Sequence, residues 1–198
     1  KYNDLKIGYP KKKVETTFKK GTEDRAQVRL AITGDFKWTQ ENRHRLDAMV
    51  EALEIRMIEV IREKLSGTYS PSLWVEMNNI PSPTYSINMQ LVLDPARVDE
   101  LVAAIKQVMQ DMKDKEDEEA TFKVKKAQEQ QRILDLKNNN YWFSVLQSYH
   151  KNGEDYSTIE NWDTLISSLT AKDVHNAAKQ YLNFDKMSKI VVMPETTK

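Results

Sequence analysis

Histidine is the side chain best suited to hold a metal or pass a proton near neutral pH, and this sequence has three: His44, His150 and His175. None lies in H-E-x-x-H or its inverted form H-x-x-E-H, where two imidazoles on one helix face grip zinc. His150 and Glu154 are four apart, but Asn152-Gly153 between them breaks helical geometry. Each histidine therefore reads as a surface or helix-packing residue, and no metal ligand is assigned. Cysteine is absent, which removes disulfides, thiol catalysis and thiolate ligands and leaves the redox compartment open. There is no G-x-S-x-G elbow, no P-loop and no G-x-G-x-x-G phosphate cradle. Carboxylates are plentiful but fall in charge runs such as Lys113–Glu119, which mark a solvated helix face. Met109 and Met112 read as core rather than a cofactor box, and Lys11-Lys12-Lys13 as a solvated linker. By motif arithmetic the chain is not a self-sufficient enzyme.

Bulk properties narrow the classes further. The 198 residues suffice for one sizeable domain with a real core. A 39% hydrophobic and 30% charged composition is that of an ordinary globular protein. Basic and acidic residues number 30 each. A nucleic-acid partner usually demands a positive surplus, so this balance argues against one. No apolar run approaches the roughly 20 residues that span a bilayer. The chain starts at Lys1 and is expected to be processed or a piece of something longer, with any signal peptide upstream.

The elements that would position such residues follow from periodicity. Residues 1–13 read as a linker or entry segment and 14–198 as a single domain. Val14, Thr16 and Phe18 share a face of a short strand, and Val28, Leu30 and Ile32 alternate with polar neighbours in a second. Leu46, Met49, Val50, Leu53, Met57, Ile61 and Leu65 recur at helical spacing, predicting a long amphipathic helix over 40–65 that Ser66-Gly67 stops. Strands follow over 68–79 and 84–93, joined through Pro81-Ser82-Pro83. Asp94-Pro95 opens a helix reaching about Met112. A more polar helix runs to about Leu136, and Asn138-Asn139-Asn140 breaks the pattern. Helices are predicted near 141–151, 158–168 and 171–182, the last with a capping box of Thr170 and Asp173. Ile190–Met193 reads as a strand covered on both faces. The fold class is α+β: one mostly antiparallel sheet with helices on its buried face.

Within this frame, Ile61-Arg62-Glu63-Lys64-Leu65-Ser66-Gly67-Thr68-Tyr69-Ser70 resembles the R-E-x-L-G-x-x-Y-S signature of the pitrilysin/insulinase-type (inverted-motif, M16-like) zinc peptidases. Phe18–Glu23, Leu93-Asp94-Pro95, Asn140-Tyr141-Trp142, Leu169–Val174 and Ile190–Pro194 also fit, so the resemblance spans nearly the whole chain. Ser66 stands where family members commonly have Gly. The resemblance implies a LuxS/processing-peptidase-like metallohydrolase fold, and a chamber built from two halves of two related domains each. It implies a C-terminal domain lacking the zinc motif: zinc belongs to the full enzyme, not to this chain. Its partners would be peptide substrate and the zinc-bearing domain, on the same polypeptide or a partner subunit, with no nucleic acid and no membrane span.

The family pair of an Arg and a Tyr seven residues later, reaching across to bound peptide, matches Arg62 and Tyr69. The elements place Arg62 one turn before a helix end and Tyr69 at the start of the next strand, near one rim of the sheet. A guanidinium there can grip a substrate carbonyl or carboxylate, and a phenol beside a developing oxyanion donates a hydrogen bond that strengthens in the transition state. Tyr69 is thus the candidate catalytic residue, and Arg62 and Tyr69 the candidate substrate-binding residues. The competing structural readings are a cation at a helix C-terminus for Arg62 and half-buried strand packing for Tyr69. The function expected is the substrate-binding domain of a zinc metalloendopeptidase. The alternatives are a non-catalytic scaffold of a processing-peptidase-like complex, or an interaction module using its sheet edge or Trp74. If bacterial, a periplasmic or exported location is expected.

Overall fold

A computed structural model describes residues 8–9, 13–65 and 71–195. The sheet is organised by β2 (Ala26–Asp35) and β4 (Thr84–Leu93), paired antiparallel along their full lengths from Ala26↔Leu93 to Asp35↔Thr84. Alternation turns Val28, Leu30 and Ile32 of β2, and Ile87, Met89 and Leu91 of β4, toward the same buried face. On the outer edge of β4 lies β3 (Ser72–Asn78). Its Leu73, Val75 and Met77 are only half-buried, as befits an edge strand. β1 (Glu15–Lys19) and β5 (Met187–Met193) complete the order β1-β5-β2-β4-β3.

Three of the four pairings are antiparallel and β1 with β5 is parallel, so the expected mostly antiparallel sheet holds in a mixed form. The expectation that the last strand is covered on both faces does not. Val191 is 3% exposed but Ile190 is 39% exposed. Helices cover one side of the sheet, so β5 alternates like its neighbours despite its apolar run.

Among the described residues, six helices cover that side or pack beyond it. The longest, α1 (Gln40–Leu65), is capped by the Thr39 hydroxyl, which accepts from the Asn42 amide at 3.2 Å. Its stripe of Leu46, Met49, Leu53, Met57 and Ile61 is buried against the sheet and neighbouring helices. α2 (Val98–Asp114) follows a 3-10 turn, Pro95–Arg97, whose cap is Asp94 accepting from the Ala96 amide. Its buried face runs from Val98 through Leu101, Ile105 and Met109 to Met112. α3 (Glu118–Asp135), α4 (Asn139–Asn152), α5 (Asn161–Ser168) and α6 (Ala171–Tyr181) complete the set. The Asn138 side chain caps α4, so Asn139 and Asn140 belong to its first turn. The Thr170–Asp173 capping box forms in both directions. The expected entry segment, apart from Gly8, Tyr9 and Lys13, lies outside the described residues, as do the Ser66-Gly67 stop and positions 68–70 of the expected strand.

Candidate functional site

Arg62 belongs to the last turn of α1, three residues before its end at Leu65. That turn is anchored by Met57 and Ile61, both fully buried. On the far side of the connection, Pro71 is buried and Ser72 opens β3 opposite Gln90 of β4. A helix end and an edge-strand start therefore flank the segment that carries Tyr69. The side chain of Arg62 and the whole of Tyr69 lie outside the described residues.

The histidines sit on three helices and each has its own partner. His44 is buried, with Nε2 2.9 Å from Gln128 Oε1 and its ring edge-on to Trp162 at 6.0 Å. Burial holds its pKa below the ordinary value. His175 Nδ1 lies 3.0 Å from the Met112 carbonyl. The exposed His150 Nδ1 lies 3.2 Å from the Tyr156 hydroxyl. His150 and Glu154 are parted by Gly153, which ends α4 at φ +65°, a conformation glycine adopts without a Cβ penalty. Glu154 is thereby turned back toward Arg43 and Trp38. Among the described residues no group of three or more His, Asp or Glu could hold a metal ion. This donor set does not fit zinc, because its imidazoles are dispersed and engaged by an amide, a carbonyl and a phenol.

What periodicity passed over is a cavity of roughly 550 Å³ between α1, α3, α4 and α5. Asp47 and Glu51, one turn apart on α1, line one wall. Tyr141 and Tyr149 of α4 and Trp162 of α5 contribute aromatic surface. Two buried arginines border it, and both are engaged. Arg132 donates to Asp163 at 2.7 Å and to the Tyr141 hydroxyl. Arg43 pairs with Glu154 and stacks over Trp38 at 4.6 Å, while its enclosed Nε has no partner among the described residues. Glu51 accepts from Gln128 Nε2 at 3.0 Å. Asp47 receives no hydrogen bond from the described residues. Burial first, and the neighbouring Glu51 second, push its carboxyl up to about 7, against a smaller opposing pull from Arg43. The sequence signal was the Arg43, Asp47, Glu51 series at four-residue spacing, which looks like any solvated helix face.

No protein-family model matches the chain. Over 90 residues, 46% of its length, it is 30% identical to the probable zinc protease PqqL of Haemophilus influenzae, of which that stretch is 10%. Its fold superposes with a TM-score of 0.80 on the periplasmic protease PqqL of Escherichia coli, at 22% identity, covering 93% of this chain and 21% of that one. The chain has the fold of the M16-like peptidase domains. It also matches a structure described as a peptidase M16 inactive domain from Pseudomonas fluorescens, with a TM-score of 0.72 and 16% identity over 97% of this chain and 47% of the other. The chain thus matches about a tenth of the length of the curated relative and about a fifth of the Escherichia coli protease.

Proposed function

We propose that this domain holds substrate for a larger zinc endopeptidase whose metal is carried elsewhere, on the same polypeptide or a partner subunit. The observation that carries the reading is the spacing of Arg62 and Tyr69 across the end of α1, in a chain related to zinc protease PqqL. Arg62 grips a carbonyl or carboxylate of the peptide with its planar fork and fixes the register. Tyr69 donates a hydrogen bond to the oxygen that gains charge when water adds to the scissile carbonyl. Zinc would supply Lewis-acid polarisation from its own domain. Among the described residues no helix is long and apolar enough to cross a membrane. The structural relative from Escherichia coli is described as periplasmic, which supports an exported location.

Steady-state kinetics on a short peptide, with the full protein, test the assignment. Tyr69→Phe is expected to lower kcat on the order of 10²-fold, the scale of one deleted oxyanion donor, without changing Tm. Wild-type kinetics in both Tyr69→Phe and Arg62→Ala would replace this reading with a non-catalytic scaffold.

A further inference from the structure

The cavity between α1, α3, α4 and α5 is of the size that takes a small organic molecule or one large side chain. Its charge is unevenly matched. The Arg43 and Arg132 guanidinium groups each have a carboxylate of their own, Glu154 and Asp163, and the unpaired Arg43 Nε is enclosed. An anionic ligand would therefore have to displace an existing ion pair. Asp47 has no hydrogen-bonding partner among the described residues, and Glu51 has only the Gln128 amide. The unanswered charge in the cavity is negative: Asp47 and Glu51 stand on the α1 wall, and Asp135, which accepts from the Gln131 amide at 2.7 Å, on the α3 wall. The aromatic groups of Tyr141 and Trp162, with Val145 and Ile166, supply apolar surface.

We infer that this cavity is a binding site for an amine with an aromatic or aliphatic body, its ammonium held by Asp47 and Glu51 and its body lying against Tyr141 and Trp162. Two carboxylates one turn apart bracket a single cation, while aromatic faces attract the charge and bury the carbon skeleton. In the free state, burial first and the neighbouring Glu51 second resist ionisation of the Asp47 carboxyl. A bound ammonium beside Asp47 favours its ionised form, so binding releases protons near neutral pH. The shared ligand chemistry is an ammonium on an apolar stem, carried by a free amine or by a lysine side chain of a peptide.

Isothermal titration of the full protein tests the site with three probes: 2-phenylethylamine, its uncharged analogue 2-phenylethanol, and Nα-acetyl-lysine amide. One or both amines should bind at least about tenfold more tightly than the alcohol, a tenfold ratio being 1.4 kcal/mol. Binding heats should vary with the ionisation heat of the buffer, which reports the released proton. Asp47→Asn should weaken amine binding by about tenfold or more, with circular dichroism checking the fold. Should that variant fail to fold, Glu51→Gln carries the same test. Tighter binding of phenylethylamine identifies a free amine as the source, and tighter binding of the lysine derivative a peptide side chain. Equal binding of amine and alcohol, amine binding unaltered by the carboxamide variants, or no binding of either amine at millimolar concentration overturns the inference and leaves a water-filled cavity.

Discussion

Tyr85 donates its hydroxyl to the backbone carbonyl of Tyr181 at 2.9 Å, fastening β4 to the end of α6. The two rings meet edge-on at 5.0 Å, and Phe36 packs against both. Burial pushes the Tyr85 phenol up to about 12, so it remains a donor at any physiological pH. Room for the ring comes from Gly34, its register partner on β2. A Cβ at that position would lie 2.6 Å from Tyr85 Cε1.

This geometry ranks two substitutions. The Tyr181 carbonyl also accepts from the Asn183 amide at 3.0 Å, so Tyr85→Phe removes a bond without orphaning the acceptor and should cost about 0.5–1.5 kcal/mol. Gly34→Ala drives a methyl into a packed ring and should cost about 1–3 kcal/mol. Urea denaturation of both variants checks the order. A smaller loss for Gly34→Ala would mean that the ring moves aside freely.

Arg56 and Asp117 give a pH-dependent prediction. Arg56 Nε and Nη2 reach the two oxygens of Asp117 at 2.6 and 2.7 Å, and the same carboxylate caps α3 through the Ala120 amide at 3.0 Å. Arg56, with the Ala120 amide as a smaller contributor, holds the Asp117 carboxyl below its ordinary range. A depressed pKa gives stability that is present at neutral pH and lost as pH falls from the unfolded value near 4. Asn caps a helix as well as Asp does, so Asp117→Asn isolates the charge. It should lower stability by about 1–2 kcal/mol at pH 7, and the gap should close below about pH 4. Melting curves across pH measure it, and a gap that persists in acid would assign the effect to the cap.

Asp47 has the opposite sign. Its folded-state carboxyl is raised from 3.8 to about 7, so the folded chain prefers the protonated form. Stability is intact below the unfolded value near 4, falls as pH rises between the two values, and stays lower above 7. Asp47→Asn should therefore be more stable than wild type at pH 8, by at most about 4 kcal/mol, and nearly equal to it at pH 4. Chemical denaturation at both pH values is the measurement. A variant less stable at pH 8 would show that the charged carboxylate contributes to folding.

For Arg62, the substrate-gripping reading sets a kinetic pattern. Arg62→Ala in the full protein should reduce kcat/KM with a raised KM, because the contact acts on bound substrate and transition state together. Arg62→Lys should rescue poorly, since an ammonium cannot make a two-pronged contact with a carbonyl or carboxylate. Full recovery with Lys would reduce the role to a cation at a helix C-terminus.

Local signals in the sequence were reliable where one residue's neighbours settle its state. The alternation of Val28, Leu30 and Ile32, the α1 stripe through Leu53, and the Thr170–Asp173 box all formed as their spacing predicted. Strand order was not legible, because the insertion of β5 beside β2 depends on partners far apart in the chain. That is also why Ile190 was misassigned as covered: an apolar run records composition, not which face the helices choose. The cavity escaped for a related reason. Asp47 and Glu51 have the spacing of a solvated face, and only the distant α3, α4 and α5 enclose them. The Arg62–Tyr69 pair rests on spacing and resemblance alone, and local geometry by itself reads only a helix end there.

The position of β5 bears on how the protein is made. Glu15 pairs with Lys189 and Val28 with Val191, so nearly the whole chain separates β1 and β2 from the strand that joins them. While the ribosome is still extending the chain, β1 has no partner and β2 presents one edge of unpaired amides and carbonyls. Such an edge is a template for mispairing with other chains. The segment Met187–Met193 closes it in a single late step, so completion of the sheet waits until that segment has been made. A nascent domain of this kind has most need of a chaperone just before that step.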